Sequence, residues 1–512
     1  MNRSKKITVM LGVLLIVCAV TFGVSRYEEH KEKIINSDEI VLELPSEEVT
    51  SLSWEYEGQS LAFHKDEGWL YDEDENFPVS EDKIRELLEP FTSFGVSFMI
   101  EEVEDYGQYG LDEPLCTIRL GTEEQTYEIA LGDFSTMDEE RYVSIGDGNV
   151  YLVENDPMEL YELELKDMIQ NDEVPEFDTV TELAFTGSEN YTVRYREENT
   201  VTYNEEDVYF VEQDQDTLPL DTSKVDNYVD AVSGLNLSDY VSYNATEEEI
   251  AAYGLDDPEL TVTLVYTTET QEGETEDTES DAGQDHSFVL HVSRSAEARE
   301  TERLEEEESA ADNEEAESMP DAGQESGTAG AADDSMEEDI DEADEDEEEE
   351  PAYARVGDSQ IIYQISGTDY ETLMAASYDD LRHREVIWAH FSDISRLDID
   401  LEGETYTLTT QEEDEEKTWY YQEEELDISS LRSALVSMMA SEFTEEEPEG
   451  REEISLTVYL DNENQPQVTI QLYRYDGTDC LAVVDGEPVS FVSRSYVVDL
   501  AEAVNAIVLK AD

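Results

Sequence analysis

Tyr109-Gly110-Leu111-Asp112-Glu113-Pro114 returns 144 residues later as Tyr253-Gly254-Leu255-Asp256-Asp257-Pro258. The flanks of the two copies also match, and self-similarity of this kind marks a chain built from repeated supersecondary units. Gly110 and Gly254 suit a backbone position at positive φ, and Pro114 and Pro258 stop the preceding structure from continuing. Asp112 and Asp256 are expected to bond nearby amides as turn formers. Tyr109, Gly110, Leu111, Asp112 and Pro114, with Tyr253, Gly254, Leu255, Asp256 and Pro258, therefore read as a structural signature, with no catalytic, cofactor-binding or metal-binding role assigned to them.

Working outward, each unit opens on the same strand signal: Val49-Thr50-Ser51-Leu52, Val180-Thr181-Glu182-Leu183 and Ile394-Ser395-Arg396-Leu397. Period-two alternation follows, as in Tyr191-Thr192-Val193-Arg194-Tyr195, the pattern of a half-buried strand. An aromatic hairpin comes next, carrying Trp69, Tyr209 or Trp419, and these rings read as packing across a sheet. A helix follows in every copy. Ser80 is placed to cap one with Ile84, Leu87, Leu88 and Phe91 on a single face. Asp221 or Thr222 caps one with Val225, Tyr228, Val229 and Val232, and Asp427 precedes Leu431, Leu435, Met438 and Met439.

The signature turn lies after this helix in the first two units, while the third has Glu447-Pro448-Glu449-Gly450 there. Strands then resume, ending in a hairpin at Tyr142–Tyr151, Tyr353–Ile362 and Leu481–Val489, where Gly-Asp and Asp-Gly pairs signal tight turns. A second amphipathic segment closes each unit, around Met158–Ile169, Tyr370–Leu381 and Tyr496–Val508.

The unit openings lie 131 and 214 residues apart, so the second unit is 83 residues longer. The excess is a Glu/Asp/Ser/Ala/Gly-rich tract over about 268–350, interrupted by the strand-like Phe288-Val289-Leu290-His291-Val292. Its composition cannot bury enough apolar surface to offset ordering entropy, so it is expected to be a disordered acidic insert. The expected architecture is α+β. A basic tip and anchor at 1–26 is followed by repeat units of mainly antiparallel sheet with amphipathic helices at 44–172, 175–388 (with the insert) and 390–512.

The charge balance of 135 acids against 28 bases, a net of −107, repels phosphate backbones, so nucleic acid is excluded as a partner. The 38% hydrophobic content suffices for packed cores. Cys18, Cys116 and Cys480 form neither a disulfide framework nor a CxxC site. Such sparing cysteine use fits a Gram-positive cell surface or a cytosol equally.

Arg3, Lys5 and Lys6 precede an apolar run from Ile7 to Val24, close to the roughly 20 residues of a membrane-spanning helix. The basic flank places everything after about residue 26 outside the cell. No small-x-small cleavage site follows, and Val17 stands before Cys18 where a lipoprotein signal needs a small residue, so the run reads as an uncleaved single-pass anchor.

Chemistry-bearing patterns are sparse. His30, His64, His286, His291, His383 and His390 make no HExxH or Cys/His cluster, and His383 and His390 read as one face of a helix. Nucleophile-elbow, phosphate-loop and dinucleotide patterns are missing from the sequence. Asp398-Ile399-Asp400-Leu401-Glu402-Gly403 begins like a calcium loop, but its twelfth position is Thr409 and its alternation is that of a strand. A non-enzymatic protein without cofactors is expected.

Trp69, the turns Tyr109–Pro114 and Tyr253–Pro258, and Tyr142-Val143 together resemble the bacterial domain-of-unknown-function family numbered 4340. The resemblance covers most of residues 45–390 and weakens in the third unit, which lacks the turn. The family has no established activity and no catalytic residues to carry over. Its members are often encoded beside ABC-transporter permeases and a gliding-motility-type auxiliary protein. The resemblance thus implies a membrane-anchored extracytoplasmic accessory component of an ABC-type export system, docking a permease or other envelope proteins. A cell-surface ligand- or cation-binding protein is the alternative.

Overall fold

The computed structural model describes residues 33–511 except 102, 154, 214–215, 269–283, 305–350 and 414–415. The chain divides into two compact bodies, Met1–Asn171 and Asp172–Asp512. The first body holds one nine-stranded antiparallel sheet and the second holds two.

The first sheet contains β1 (Lys33–Leu42), β2 (Val49–Tyr56), β3 (Gln59–Lys65), β4 (Trp69–Tyr71), β5 (Phe94–Glu101), β6 (Cys116–Thr122), β7 (Thr126–Ser135), β8 (Glu140–Ser144) and β9 (Val150–Val153). The second contains β10 (Thr179–Gly187), β11 (Asn190–Tyr195), β12 (Tyr209–Gln213), β13 (Asp216–Pro219), β14 (Tyr240–Ser242), β15 (Leu260–Thr267), β16 (His286–Arg294), β17 (Ala352–Val356) and β18 (Ile362–Ile365). The third contains β19 (Ile394–Leu401), β20 (Glu404–Glu413), β21 (Glu416–Tyr421), β22 (Glu424–Leu426), β23 (Ala440–Phe443), β24 (Glu452–Leu460), β25 (Gln467–Arg474), β26 (Asp479–Val484) and β27 (Glu487–Ser493).

Counted within each unit, the second and third sheets share the spatial order 4-3-2-1-6-7-8-9-5. The first sheet keeps this order without its fourth strand and adds β1 beyond β5 at the opposite edge. The order explains why a helix sits between the opening hairpins and the fifth strand. The chain must pass from one sheet edge to the other, and an amphipathic helix makes that passage while burying its apolar stripe.

The three crossing helices are α1 (Glu81–Leu88), α2 (Thr222–Ser233) and α4 (Ser429–Val436); a shorter α3 (Glu247–Ala252) precedes the second turn. Ser80 Oγ accepts from Lys83 N at 3.3 Å and Asp221 Oδ1 from Ser223 N at 3.0 Å, as the capping pattern predicts. Asp427 Oδ1 accepts from Ser429 N at 3.1 Å, capping from one residue ahead of the geometric start.

A bulge recurs at one place in all three sheets. The pairing of first with sixth strand slips between Val49 and Ser51, Val180 and Glu182, and Ile394 and Arg396. The bulged residue donates its hydroxyl to the facing strand each time: Thr50 to Gly121 O (3.3 Å), Thr181 to Val265 O (3.2 Å) and Ser395 to Tyr459 O (3.3 Å). A bulge interrupts the ladder, and the hydroxyl supplies an alternative donor. The repeated Val-Thr, Val-Thr and Ile-Ser openings therefore have a common cause.

Cores follow the alternation. Trp54 stacks on Phe63 at 5.7 Å and meets Tyr161 edge-on at 5.5 Å, while Tyr161 donates to Leu87 O at 2.6 Å. Phe185 and Tyr228 repeat the aromatic contact at 5.2 Å in the second unit. The third unit substitutes aliphatics such as Leu397, Ile399, Leu456 and Ile470. Trp69, Tyr209 and Trp419 are all buried, as the packing reading requires.

Several expectations change. The first sheet starts at Lys33, ahead of the expected boundary at 44. The closing segments of the first two units are broken into short helices (Met158–Tyr161, Leu165–Met168; Gly367–Met374, Tyr378–Leu381), whereas the third is one helix, α5 (Arg494–Ala511). The acidic tract is not one loop. Within it, β16 lies between β15 and β17 as an interior strand of the second sheet, and residues 296–304 are helical. The strand-like Phe288–Val292 is indeed a strand, with Phe288, Leu290 and Val292 facing the core, and what the acidic surroundings conceal is its interior place in the sheet. The rest of the tract, and the expected membrane span Ile7–Val24, lie outside the described residues. Among the described residues no helix is long and apolar enough to cross a membrane.

Candidate functional site

Both signature turns are helix C-caps of one design. Gly110 has φ 68°, Leu111 N donates to Tyr106 O at 3.1 Å, and Gly110 N donates to Gly107 O at 3.2 Å. Gly254 has φ 75°, Leu255 N donates to Ile250 O at 2.9 Å, and Gly254 N donates to Ala251 O at 3.1 Å. This bond pair, with a glycine in the left-handed region, is a Schellman motif, and the leucine after the glycine supplies its usual apolar contact. Leu111 packs with Tyr106, Ile100, Val150 and Leu152, and Leu255 packs with Ile250, Ala245 and Ile362. Tyr109 contacts Tyr142 at 4.9 Å between ring centroids, and Tyr253 contacts Tyr353 at 4.5 Å. Turn and closing hairpin are therefore one packing unit, bracing the return from the fifth strand to the sixth at the centre of the sheet.

The glycines are needed for space as well as φ. A Cβ at Gly110 would stand 2.6 Å from Asp133 Oδ1 and 2.9 Å from its backbone N. One at Gly254 would stand 2.5 Å from Arg294 O. Asp133 and Arg294 occupy equivalent positions near the ends of β7 and β16. The third unit lacks the signature yet keeps the approach: a Cβ on Gly450 would lie 1.7 Å from Arg474 O, at the end of β25. Asp112 behaves as expected, its Oδ1 accepting from Glu113 N at 3.1 Å. Gly110→Ala and Gly254→Ala should each cost about 1–3 kcal/mol through strain and crowding. Hydrogen exchange would show the loss confined to β6–β7 in one variant and to β15–β16 in the other.

The second and third units meet within one body, and a buried polar network lies at their junction. Asp207, 1% exposed, is its centre. Its Oδ2 accepts from Thr202 Oγ1 at 2.8 Å and Trp388 Nε1 at 3.2 Å, and its Oδ1 accepts from His383 Nε2 at 2.9 Å and Asn204 Nδ2 at 3.3 Å. The imidazole of His383 stacks on Trp388 at 4.7 Å with planes 7° apart, and Tyr203 lies 4.9 Å from Trp388 on its way into the third unit's core. Asn462 Nδ2 donates to Tyr203 O at 3.0 Å and Asn464 Nδ2 to Asn199 O at 2.9 Å. Val386 N donates to Met438 O at 3.0 Å, tying the connecting segment to the third sheet.

His383 is not on a helix. The helix Tyr378–Leu381 ends before it, Arg382 is already extended, and His383 Nδ1 stands 4.0 Å from Glu385 Oε2. Asp221, the cap of α2, joins them; Lys224 in the first turn donates to Asp380 O at 3.0 Å and Arg382 O at 2.8 Å. Burial pulls the Lys224 ammonium below its ordinary value, and the Asp221 carboxylate opposes that fall.

Beside this junction an open groove of about 1100 Å³ runs between the second and third sheets. Tyr191, Arg194, Leu218, Tyr378, Phe443 and Val489 line it. Arg382, also in its wall, places its guanidinium 4.0 Å from the Phe443 ring centre and 5.1 Å from that of Tyr378. Leu218 belongs to β13, which is an edge strand among the described residues and pairs there with β12.

These features define a repeat protein of three antiparallel sheets, whose most recognisable residues cap and brace the first two. Residues 69–258 match the family model "Domain of unknown function (DUF4340)", a span that runs from Trp69 of the first aromatic hairpin to Pro258 of the second turn. No curated protein and no solved structure matches the chain.

Proposed function

We propose that this is a membrane-anchored, extracytoplasmic, non-enzymatic protein that docks envelope partners, as an accessory component of an ABC-type export system. The observation carrying the docking reading is the groove between the second and third sheets. It is open, lined by aromatic and arginine side chains of the kind that anchor protein interfaces, and flanked by the edge strand β13. A free edge offers backbone groups to an extended peptide, and adjacent side-chain sites give it specificity. The basic-flanked apolar run Ile7–Val24 supports the anchor, and the family resemblance supports the transporter context.

A photo-crosslinking residue at Leu218, used in cells with the intact chain, tests this reading. Recovery of a permease and its ATPase, reduced by Arg194→Glu, is the expected result. Crosslinks only to peptidoglycan-associated material, or none, would replace this reading with that of a free-standing surface binder.

A further inference from the structure

The geometry points to a transition-metal site at the junction of the second and third units, with His383 Nδ1, Asp221 Oδ2 and Glu385 Oε2 as ligands for a divalent ion such as Zn²⁺. One ligand atom from each of the three residues lies within 4.8 Å of the other two, and Asp221 Oδ2 and Glu385 Oε2 are each 4.0 Å from His383 Nδ1. That spacing is too long for hydrogen bonds, while ligands about 2.0–2.2 Å from a common ion need a modest closure.

Three further observations single out this cluster in a chain rich in acids. His383 is the first: its side chain is nine-tenths buried, yet Nδ1 makes no hydrogen bond among the described residues. Its other nitrogen, Nε2, meets Asp207 Oδ1 at 2.9 Å. A carboxylate oxygen only accepts, so Nε2 carries a proton, and Nδ1 is left facing two further carboxylates. Two carboxylates facing one another across Nδ1 repel, and a cation held among the three groups offsets that repulsion. Second, Asp207–His383–ligand is the outer-shell arrangement that fixes ring orientation and raises ligand basicity in metal proteins, and here Asp207 is itself held by Thr202, Trp388 and Asn204. Third, the two roles of Asp221 are divided between its oxygens: Oδ1 caps α2 and Oδ2 faces His383. The same segment is sewn to the third sheet through Arg384 O, which accepts from Ala440 N at 2.6 Å, and through Val386 N. An ion bound here would therefore clamp the second unit to the third.

An imidazole with two carboxylates suits Zn²⁺, Co²⁺ or Mn²⁺ better than Ca²⁺ or Mg²⁺, which favour all-oxygen sites. The test is Zn²⁺ titration of the full chain by calorimetry, in excess Ca²⁺ so that dispersed acids are already occupied. One tight equivalent is expected, with hydrogen-exchange protection rising over residues 383–389. Asp221→Asn, which keeps an acceptable cap, and Glu385→Gln should each weaken that equivalent by more than about tenfold. Unchanged affinity in both variants would assign the metal to other acids and overturn the site. Failure to find a saturable equivalent above the Ca²⁺ background would overturn it equally.

Discussion

A chain from which residues 268–350 are excised is expected to lose the second sheet, although most of that stretch reads as acidic filler. The excision removes β16, which pairs with β15 from Leu260↔Val292 to Tyr266↔His286 and with β17 from Leu290↔Val356 to Arg294↔Ala352. Both ladders vanish, and β17, β18 and β14 are cut off from the opening strands. Phe288, Leu290 and Val292 leave the core at about 1.5–3 kcal/mol each. The apolar burial alone approaches the roughly 5–15 kcal/mol that separates a folded domain from its unfolded chain. The support behind Gly254 also goes, because its turn packs on Ser293 and Arg294. The expected result is loss of exchange protection across β10–β18, with association through the newly exposed edge of β15. The first sheet, in the other body, keeps its protection. A matched variant with only residues 305–350 replaced by a glycine-serine linker retains every strand of the second sheet. Protection of β17 and β18 after the larger excision would refute the interior placement of β16.

That strand marks a boundary of what local sequence can reveal. Repetition exposed the three sheets because each unit restates the same order of hydrophobic periods, and Val49, Val180 and Ile394 hold equivalent places in the opening strands. Gly110 and Gly254 were readable as positive-φ positions because glycine before leucine after a short helix has few other uses. Their contacts with Asp133 and Arg294 were not readable, since these depend on which strand lies beneath the turn. Gly450 shows the converse: it keeps the close approach with none of the signature residues around it. The junction was hidden more completely. Asp207 and His383 are 176 residues apart and meet only when the extended chain after Leu381 folds against the loop ahead of β12. Spacing rules find side chains that share an element, and these two do not. The helical reading of His383 and His390 failed because the short helix stops at Leu381, with Ser377 capping its start and Arg382 already extended.

Asp207→Ala is expected to destabilise the second body by about 3–5 kcal/mol, the usual penalty when one partner of a buried charged network is removed. The carboxylate is 1% exposed and accepts from four side chains: Thr202, Asn204, His383 and Trp388. Alanine leaves those donors facing a small dry space, and burying an unmet donor typically costs about 1–3 kcal/mol. The damage should spread in a definite direction. Asn199, Thr202 and Tyr203 present the carbonyls that Asn462 and Asn464 bind, and the Tyr203 ring enters the third unit's core beside Trp388. Releasing Asp207 therefore loosens the third unit's grip on the second before it reaches either sheet's interior. Asp207→Asn should lose less, because its one remaining oxygen can still accept from His383 or Trp388. Exchange in the 199–208 and 383–389 segments, read alongside a urea midpoint, separates these effects. Early opening of both segments with β19 and β24 still protected would establish the network as the clasp between units. A shift within about 0.5 kcal/mol of the parent, the range of ordinary surface changes, would show instead that the apolar contacts of Tyr203, Val386 and Ile387 hold the junction by themselves.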